Sequence, residues 1–417
     1  MALTAVKSPL LKALGTTSLA LFFIIIPFNA EAFSSIPLTA NIPITGENSI
    51  QEPPDFDRRI VQLLQRFQIP GAAVAIIKDN QIVLSHGYGW ADIENQLPVQ
   101  PNSLFRVASV SKAITAVAIL QLIEQGKLNL ESKVFDVLSD LRPLNNTLAK
   151  PHIKQITVRN LLQMSSGWYS SGSRNLDIMF GPWSSRIKQL LNYQVPPDCQ
   201  TATQLMMALP THYTPGTQYS YSNINYCMLG LILNRVTGSE GNVGYENYVQ
   251  KQLLEPLGIT DMHLGDTAWE NRDAGEVKYY AYSGNEEMEP NVDGLPYSYT
   301  QILKKNYADG GWVASALSLA KFAHAVGNSQ LISSKMIQAM TTKPTFQTKV
   351  YSYFGMGWSI KYIHGHRYMY KTGSFTGTSA LIVHGDNGTS YAAVFNTKPY
   401  DRSRFYNQLE SILFSFG

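Results

Sequence analysis

Apolar positions first recur at helical spacing over residues 56–67, where Ile60, Val61, Leu64 and Phe67 share a face and Ile69-Pro70-Gly71 stops the run. A helix is predicted there. Residues 72–78 are almost wholly apolar, and a second short run, 82–85, follows across Asp79-Asn80. Two such runs around a polar pair predict a β-hairpin. Between 105 and 120 the pattern changes. Ala113, Ile114, Val117, Ala118, Ile119, Leu122 and Ile123 cover most of a helical circumference, so this helix is expected to be buried on nearly every side. Helical periodicity continues through 157–164, 201–208, 228–236 and 245–254. Strand-like runs return at 357–363, 368–372, 379–384 and 391–396, with a turn at Gly385-Asp386-Asn387-Gly388. Residues 403–414 close the pattern as a helix with Phe405, Leu409, Ile412 and Leu413 on one side. Strands toward both ends around a helical centre predict an α+β protein whose two ends build one sheet.

The first 32 residues stand apart. Lys7 and Lys12 precede an apolar stretch, 19–28, that is short for a bilayer span, and Ala30-Glu31-Ala32 puts small residues at cleavage positions. Together they predict a signal peptide cut before Phe33, with an uncleaved anchor as the alternative. The expected location is periplasmic or secreted, with no stable membrane span after cleavage. No cysteine follows the apolar stretch, so a lipoprotein is not indicated. Residues 33–54, polar with several prolines, read as a linker, leaving 55–417 as the folded domain.

Composition changes this picture little. A chain of 417 residues, 44% hydrophobic and 15% charged, is globular and long enough for a large core. A net charge of +3 is too small to argue for a nucleic-acid partner. No period repeats, which excludes solenoids and propellers. Cys199 and Cys227 are the only cysteines. An oxidising compartment favours one disulfide between them; two buried thiols are the alternative. Cys227 lies in an apolar run without a basic neighbour, so it is not expected to be a nucleophile.

The chemistry concentrates at Ser109 and Lys112, one helical turn apart at the head of the buried helix. A serine hydroxyl needs a base to become a nucleophile, and a lysine in apolar surroundings can serve. Positions i and i+3 share a face. The same spacing occurs at Ser185/Lys188 and Ser318/Lys321, but both read as helix starts, with Ser315 as N-cap of the second. Downstream, Pro215-Gly216 leads into Tyr221-Ser222-Asn223 and an apolar helical run, and Lys371-Thr372-Gly373 interrupts the late strands.

This ordered set resembles the serine β-lactamase and penicillin-binding protein superfamily. A tyrosine motif (YSN) stands where class A members carry SDN, which points to the class C β-lactamase-like branch. Residues 70–78, 86–89, 156–167, 254–262 and 308–322 resemble further blocks of that family, so the likeness covers roughly residues 55–400. It implies an antiparallel sheet flanked by helices, an all-helical insertion and an active site at the seam. It also implies that Ser109 is the acylated nucleophile, that Lys112 and Tyr221 handle its proton, and that Asn223 bonds Lys112 and a substrate amide. Lys371 and Thr372 would hold a substrate carboxylate, Gly373 would let substrate backbone lie close, and the Ser374 N–H would pair with that of Ser109 in an oxyanion hole. As a lone residue Asn223 is equally a turn former.

The expected partner is a small-molecule or peptide substrate, such as a peptidoglycan stem peptide or a β-lactam; no cofactor and no metal is implied. Tyr245-Glu246-Asn247 lies inside a helical pattern and is discounted as a second tyrosine motif. His364-Gly365-His366 reads as a turn rather than a metal site. The aromatic stretches 168–183 and 279–299 are pocket walls or solvent-facing loops. No HExxH or GxSxG around a serine is present, which sets aside zinc peptidases and α/β-hydrolases. The candidate activities are an amide or ester hydrolase, a D-alanyl-D-alanine carboxypeptidase, and a sensor that acylates without turnover.

Overall fold

The computed structural model describes residues 42–47, 55–144, 150–168, 179, 198–267, 271–281 and 303–416. The predicted signal peptide, the Ser185/Lys188 pair and most of both aromatic stretches lie outside those residues.

The strands in chain order are β1 (Ile44–Thr45), β2 (Gly71–Lys78), β3 (Gln81–Asp92), β4 (Leu97–Pro98), β5 (Phe105–Arg106), β6 (His263–Leu264), β7 (Trp312–Ala314), β8 (Ser352–Phe354), β9 (Ser359–Ile363), β10 (His366–Phe375), β11 (Thr378–Gly385) and β12 (Thr389–Phe395). Nine form an antiparallel sheet in the order β1-β3-β2-β12-β11-β10-β9-β8, with β4 beside β3; β5, β7 and β6 make a small second sheet. The main sheet thus joins the early hairpin to the late strands through β2 and β12. The helices are α1 (Phe56–Arg66), α2 (Ser111–Glu124), α3 (Val134–Val137), α4 (Val158–Leu162), α5 (Cys199–Ala208), α6 (Ile224–Thr237), α7 (Gly241–Val249), α8 (Ala316–Gly327), α9 (Ser334–Thr341) and α10 (Arg402–Leu413).

Alternation along β2 explains why its sequence is apolar throughout. Ala72, Val74 and Ile76 join one core with Phe56 and Ile60 of α1 and Phe405 and Leu409 of α10. Ala73, Ala75 and Ile77 face the other core, which holds α2 and α8. A strand covered on both faces loses the polar half of its pattern. In α2 every residue from Ser111 to Leu120 is buried, as its circumference of apolar residues requires.

Some local features differ from the expectations and others meet them. Ile44 and Thr45, inside the expected linker, pair with Tyr88 and Gly87, because the edge of β3 offers unpaired backbone groups. α4 is shorter than its periodicity suggests: a capping box between Thr157 and Asn160 starts it, and Met164 at φ 54° follows its end. Cys199 and Cys227 are bonded, tying the start of α5 to α6. The Ser315 side chain accepts from Ser318 N at 3.2 Å, so that serine caps α8, as expected. Tyr245 shares a 2.6 Å hydrogen bond with Thr115 Oγ1 and accepts from Trp312 Nε1 at 3.2 Å, which makes it a brace in the core. Among the described residues no helix is long and apolar enough to cross a membrane.

Candidate active site

The nucleophile candidate is presented by a strained turn rather than by the helix itself. β5 pairs with β7, and Val107 N donates to Trp312 O at 3.0 Å, so the chain arrives anchored. Ala108 then adopts φ 46°, a left-handed conformation costing a non-glycine residue roughly 1 kcal/mol. Ser109 occupies the 3₁₀ turn Ala108–Val110 that runs into α2. It is half-buried while its neighbours on both sides are buried. The turn therefore lifts one hydroxyl out of a core segment.

Lys112, at 0% exposure, points back to this hydroxyl. Its Nζ donates to Ser109 Oγ at 3.1 Å and to the Asp309 carbonyl at 2.5 Å, and the Asp309 carboxylate lies 3.9 Å away. Tyr221 arrives from the other side, its OH donating to Ser109 Oγ at 2.9 Å. The loop carrying it is fixed by Ser220 N to Met164 O and Gly216 N to Ser165 O, both 2.8 Å. Ser109 Oγ therefore sits between an amine and a phenol.

Two lysines attend the Tyr221 ring, Lys371 Nζ 5.0 Å and Lys112 Nζ 5.4 Å from its centroid. Lys371 is 5% exposed and also lies 5.2 Å from the Phe354 ring. Burial, and then the charge of Lys112, holds its ammonium well below the usual lysine range. Among the described residues no carboxylate forms an ion pair with Lys371. Burial thus disfavours charge on Lys371, and an anionic ligand beside it would offset that cost.

Strand β10 supplies the third wall. β9 covers it only as far as Tyr370, which pairs with Ser359, so residues 371–375 have no strand on that edge among the described residues. The Ser109 turn packs against this part of β10 from one face of the sheet. A Cβ on Gly373 would meet Val107 O at 2.1 Å and the Ser109 and Val110 amide nitrogens at 2.9 Å. A side chain at 373 would therefore collide with the Ser109 turn, a steric reason for glycine in addition to the expected room for substrate. Thr372 and Ser374 follow half-buried on the same strand. Asn223, also half-buried, caps the start of α6, its carbonyl accepting from Tyr226 N at 3.0 Å and Cys227 N at 3.2 Å.

The structure thus brings Ser109, Lys112, Tyr221 and Lys371 together from three separate stretches, with Gly373 against the turn. Sequence reasoning missed Asp309, whose only signal was its place in the block 308–322. It also missed Tyr226, whose ring lies 6.0 Å from Lys112 Nζ while its OH donates to Leu162 O at 3.0 Å. Of the aromatic stretches, Trp168 and Tyr279 are buried rather than solvent-facing. His366 pairs with Asp386, and no cluster of metal-ligating side chains occurs among the described residues.

A family profile described as Beta-lactamase matches residues 56–411. Protein flp of Staphylococcus aureus (strain COL) is 31% identical over 209 residues, which are 50% of this chain and 38% of that protein; the chain therefore spans well under half the length of that relative. The putative penicillin-binding protein PbpX of Bacillus subtilis (strain 168) is 26% identical over 306 residues, 73% of this chain and 66% of the relative. Among solved structures, the octameric penicillin-binding protein homologue from Pyrococcus abyssi matches with a TM-score of 0.64 at 25% identity, covering 87% of this chain and 77% of that one. D-amino acid amidase from Ochrobactrum anthropi SV3, complexed with D-phenylalanine, matches with a TM-score of 0.66 at 20% identity over 87% and 98% of the two chains, a likeness of fold.

Proposed function

Because this chain belongs to the beta-lactamase family of serine hydrolases, we propose that it is an exported, class C β-lactamase-like enzyme cleaving amide or ester bonds through a Ser109 acyl-enzyme. The observation that carries the proposal is the placement of Ser109 Oγ within hydrogen-bond distance of both Tyr221 OH and Lys112 Nζ.

In this reaction Ser109 gives its proton to the Tyr221/Lys112 pair as Oγ bonds to the substrate carbonyl carbon. The oxyanion that develops is met by the amides of Ser109 and Ser374. The C–N or C–O bond then breaks, and the leaving group takes the proton back from Tyr221. Water attacks the acyl ester in the second half, releasing the acid and restoring Ser109. Lys371 and Thr372 hold a carboxylate on the substrate, and Asn223 orients Lys112 and a substrate amide.

A second reading is a peptidoglycan D-alanyl-D-alanine carboxypeptidase, or a sensor whose acyl-enzyme turns over slowly. It is favoured by Lys371, a buried cation suited to a carboxyl-terminated peptide or a β-lactam. Wild type and Ser109→Ala, mixed with a fluorescent penicillin and with p-nitrophenyl acetate, test these readings together. Labelling of wild type alone supports Ser109 as nucleophile, with rapid loss of label indicating β-lactamase and persistence a peptidase or sensor. Ester cleavage without label points to an esterase or amidase. Equal behaviour of the two proteins refutes the assignment of Ser109.

A further inference from the structure

Tyr406 lies on α10, far along the chain from Ser109, and belongs to none of the motifs. Its ring packs against the core shared with α1, on the sheet face away from the Ser109 turn. Its OH donates toward two carbonyls, Gly373 O at 3.3 Å and Ala380 O at 3.2 Å. These two residues are register partners on β10 and β11, so one phenolic proton is shared across the rung beside the nucleophile.

Gly373 C=O and Ser374 N–H belong to one rigid planar peptide unit and point in opposite directions. Holding the oxygen from behind therefore fixes where the N–H aims. It also draws electron density toward the oxygen, which strengthens the N–H as a donor. On the other side of the same strand, a Cβ on Gly373 would lie 2.9 Å from Ser109 N, so this peptide borders the nucleophile's own amide. We propose that Tyr406 is a positioning residue for the oxyanion hole, setting and polarising the Gly373–Ser374 peptide from the opposite face of the sheet. The proposal rests on the reading above that Ser374 N–H is the second oxyanion donor. Burial pushes the Tyr406 phenol up to about 12, which keeps it a proton donor throughout the physiological range.

Losing an oxyanion donor outright costs roughly 10²- to 10³-fold in kcat, and losing the group behind one should cost less, about tenfold. Tyr406→Phe in the full chain removes only the hydroxyl. The expected result with p-nitrophenyl acetate is about a tenfold lower kcat with KM within about twofold. The inhibition constant of benzeneboronic acid, whose adduct on Ser109 imitates the tetrahedral intermediate, should rise by the same factor. An unchanged kcat overturns the proposal, as does a loss confined to the melting temperature and the titre of active sites with boronate affinity intact. Should Tyr406→Phe fail to fold, 3-fluorotyrosine at 406 keeps the hydroxyl and makes it a stronger donor. Tighter boronate binding then supports the role, and unchanged binding ends it. Ser109→Ala run alongside separates the two levels. If it retains hydrolysis, both the nucleophile assignment and this proposal fall; if it is inactive while Tyr406→Phe matches wild type, only the role of Tyr406 falls.

Discussion

Two buried polar clusters meet at the Ser109 turn, and they are charged on opposite plans. Just before the turn, Arg106 Nε lies 3.2 Å from Glu276 and its Nη2 donates to Asp266 O at 3.0 Å. Tyr279 donates to the same carboxylate at 2.7 Å, accepts the Arg106 backbone N–H at 2.7 Å, and carries the guanidinium 4.7 Å from its ring. Cation meets anion and dipoles close the circuit. Just after the turn, Lys112 and Lys371 flank Tyr221, and the carboxylate of Asp309 approaches only one of them, at 3.9 Å. In the first cluster a buried cation and a buried anion pair with each other, whereas in the second, among the described residues, Lys371 makes no ion pair with a carboxylate and a half-buried hydroxyl lies beside Lys112. Under the proposed function, burial of charge is a structural device in the first and a reactive one in the second.

Breaking the reactive cluster at Tyr221 should give the largest effect on chemistry. Tyr221→Phe removes a proton carrier, so steady-state hydrolysis should fall by about 10²- to 10⁴-fold with little change in melting temperature. An undiminished rate would return Tyr221 to a packing role. The matched cluster should respond in the reverse sense. Glu276→Ala leaves Arg106 buried without its anion, and denaturant unfolding should show a loss of about 3–5 kcal/mol, while the chain that remains folded still acylates. Burial already pushes the Glu276 carboxyl up against the pull of Arg106, so a loss below about 1 kcal/mol would mean that the pair contributes no net charge interaction.

The smallest effect sharpens the contrast most. Lys371 titrates lower in the folded chain than in the unfolded one, so between those two values the unfolded chain holds more protons and stability rises with pH. Lys371→Met removes the group, and should stabilise the protein by about 1–2 kcal/mol at neutral and lower pH. That gain should shrink to nothing as pH approaches the ordinary lysine range, while turnover of carboxylate-bearing substrates is lost. Unfolding curves across pH decide it: a destabilised variant would show that Lys371 has an anionic partner after all.

What the sequence disclosed, and what it hid, follow from range. The motifs announced themselves because Ser109 and Lys112 lie one turn apart, Tyr221 follows a Pro-Gly turn, and Lys371 stands in a late strand directly before Thr372-Gly373. The strands were visible because β2 and the late strands keep unbroken apolar runs. Asp309 could not be read that way, since it reaches Lys112 across 197 residues and no spacing links them. The left-handed Ala108 had no signal either, since alanine has no local preference for that conformation. The closeness of Gly373 to the Ser109 backbone was likewise not written in any spacing. Tyr279, expected in a wall or a loop, is buried because its hydroxyl completes the Arg106 pair.

The pairing of β2 with β12 also sets a timetable. Gly71 N finds the Asn396 side chain at 2.7 Å across 325 residues, and that junction holds the two halves of the main sheet together. A ribosome making roughly 5–20 residues per second needs on the order of tens of seconds to deliver the second half after the first. Through that interval the β2–β3 hairpin waits with one long edge unpaired, and α2, buried over nearly its whole length in the folded protein, has no complete sheet to lie against. The main sheet cannot close until β12 emerges, and only from then on is the ground under the serine and its lysines complete.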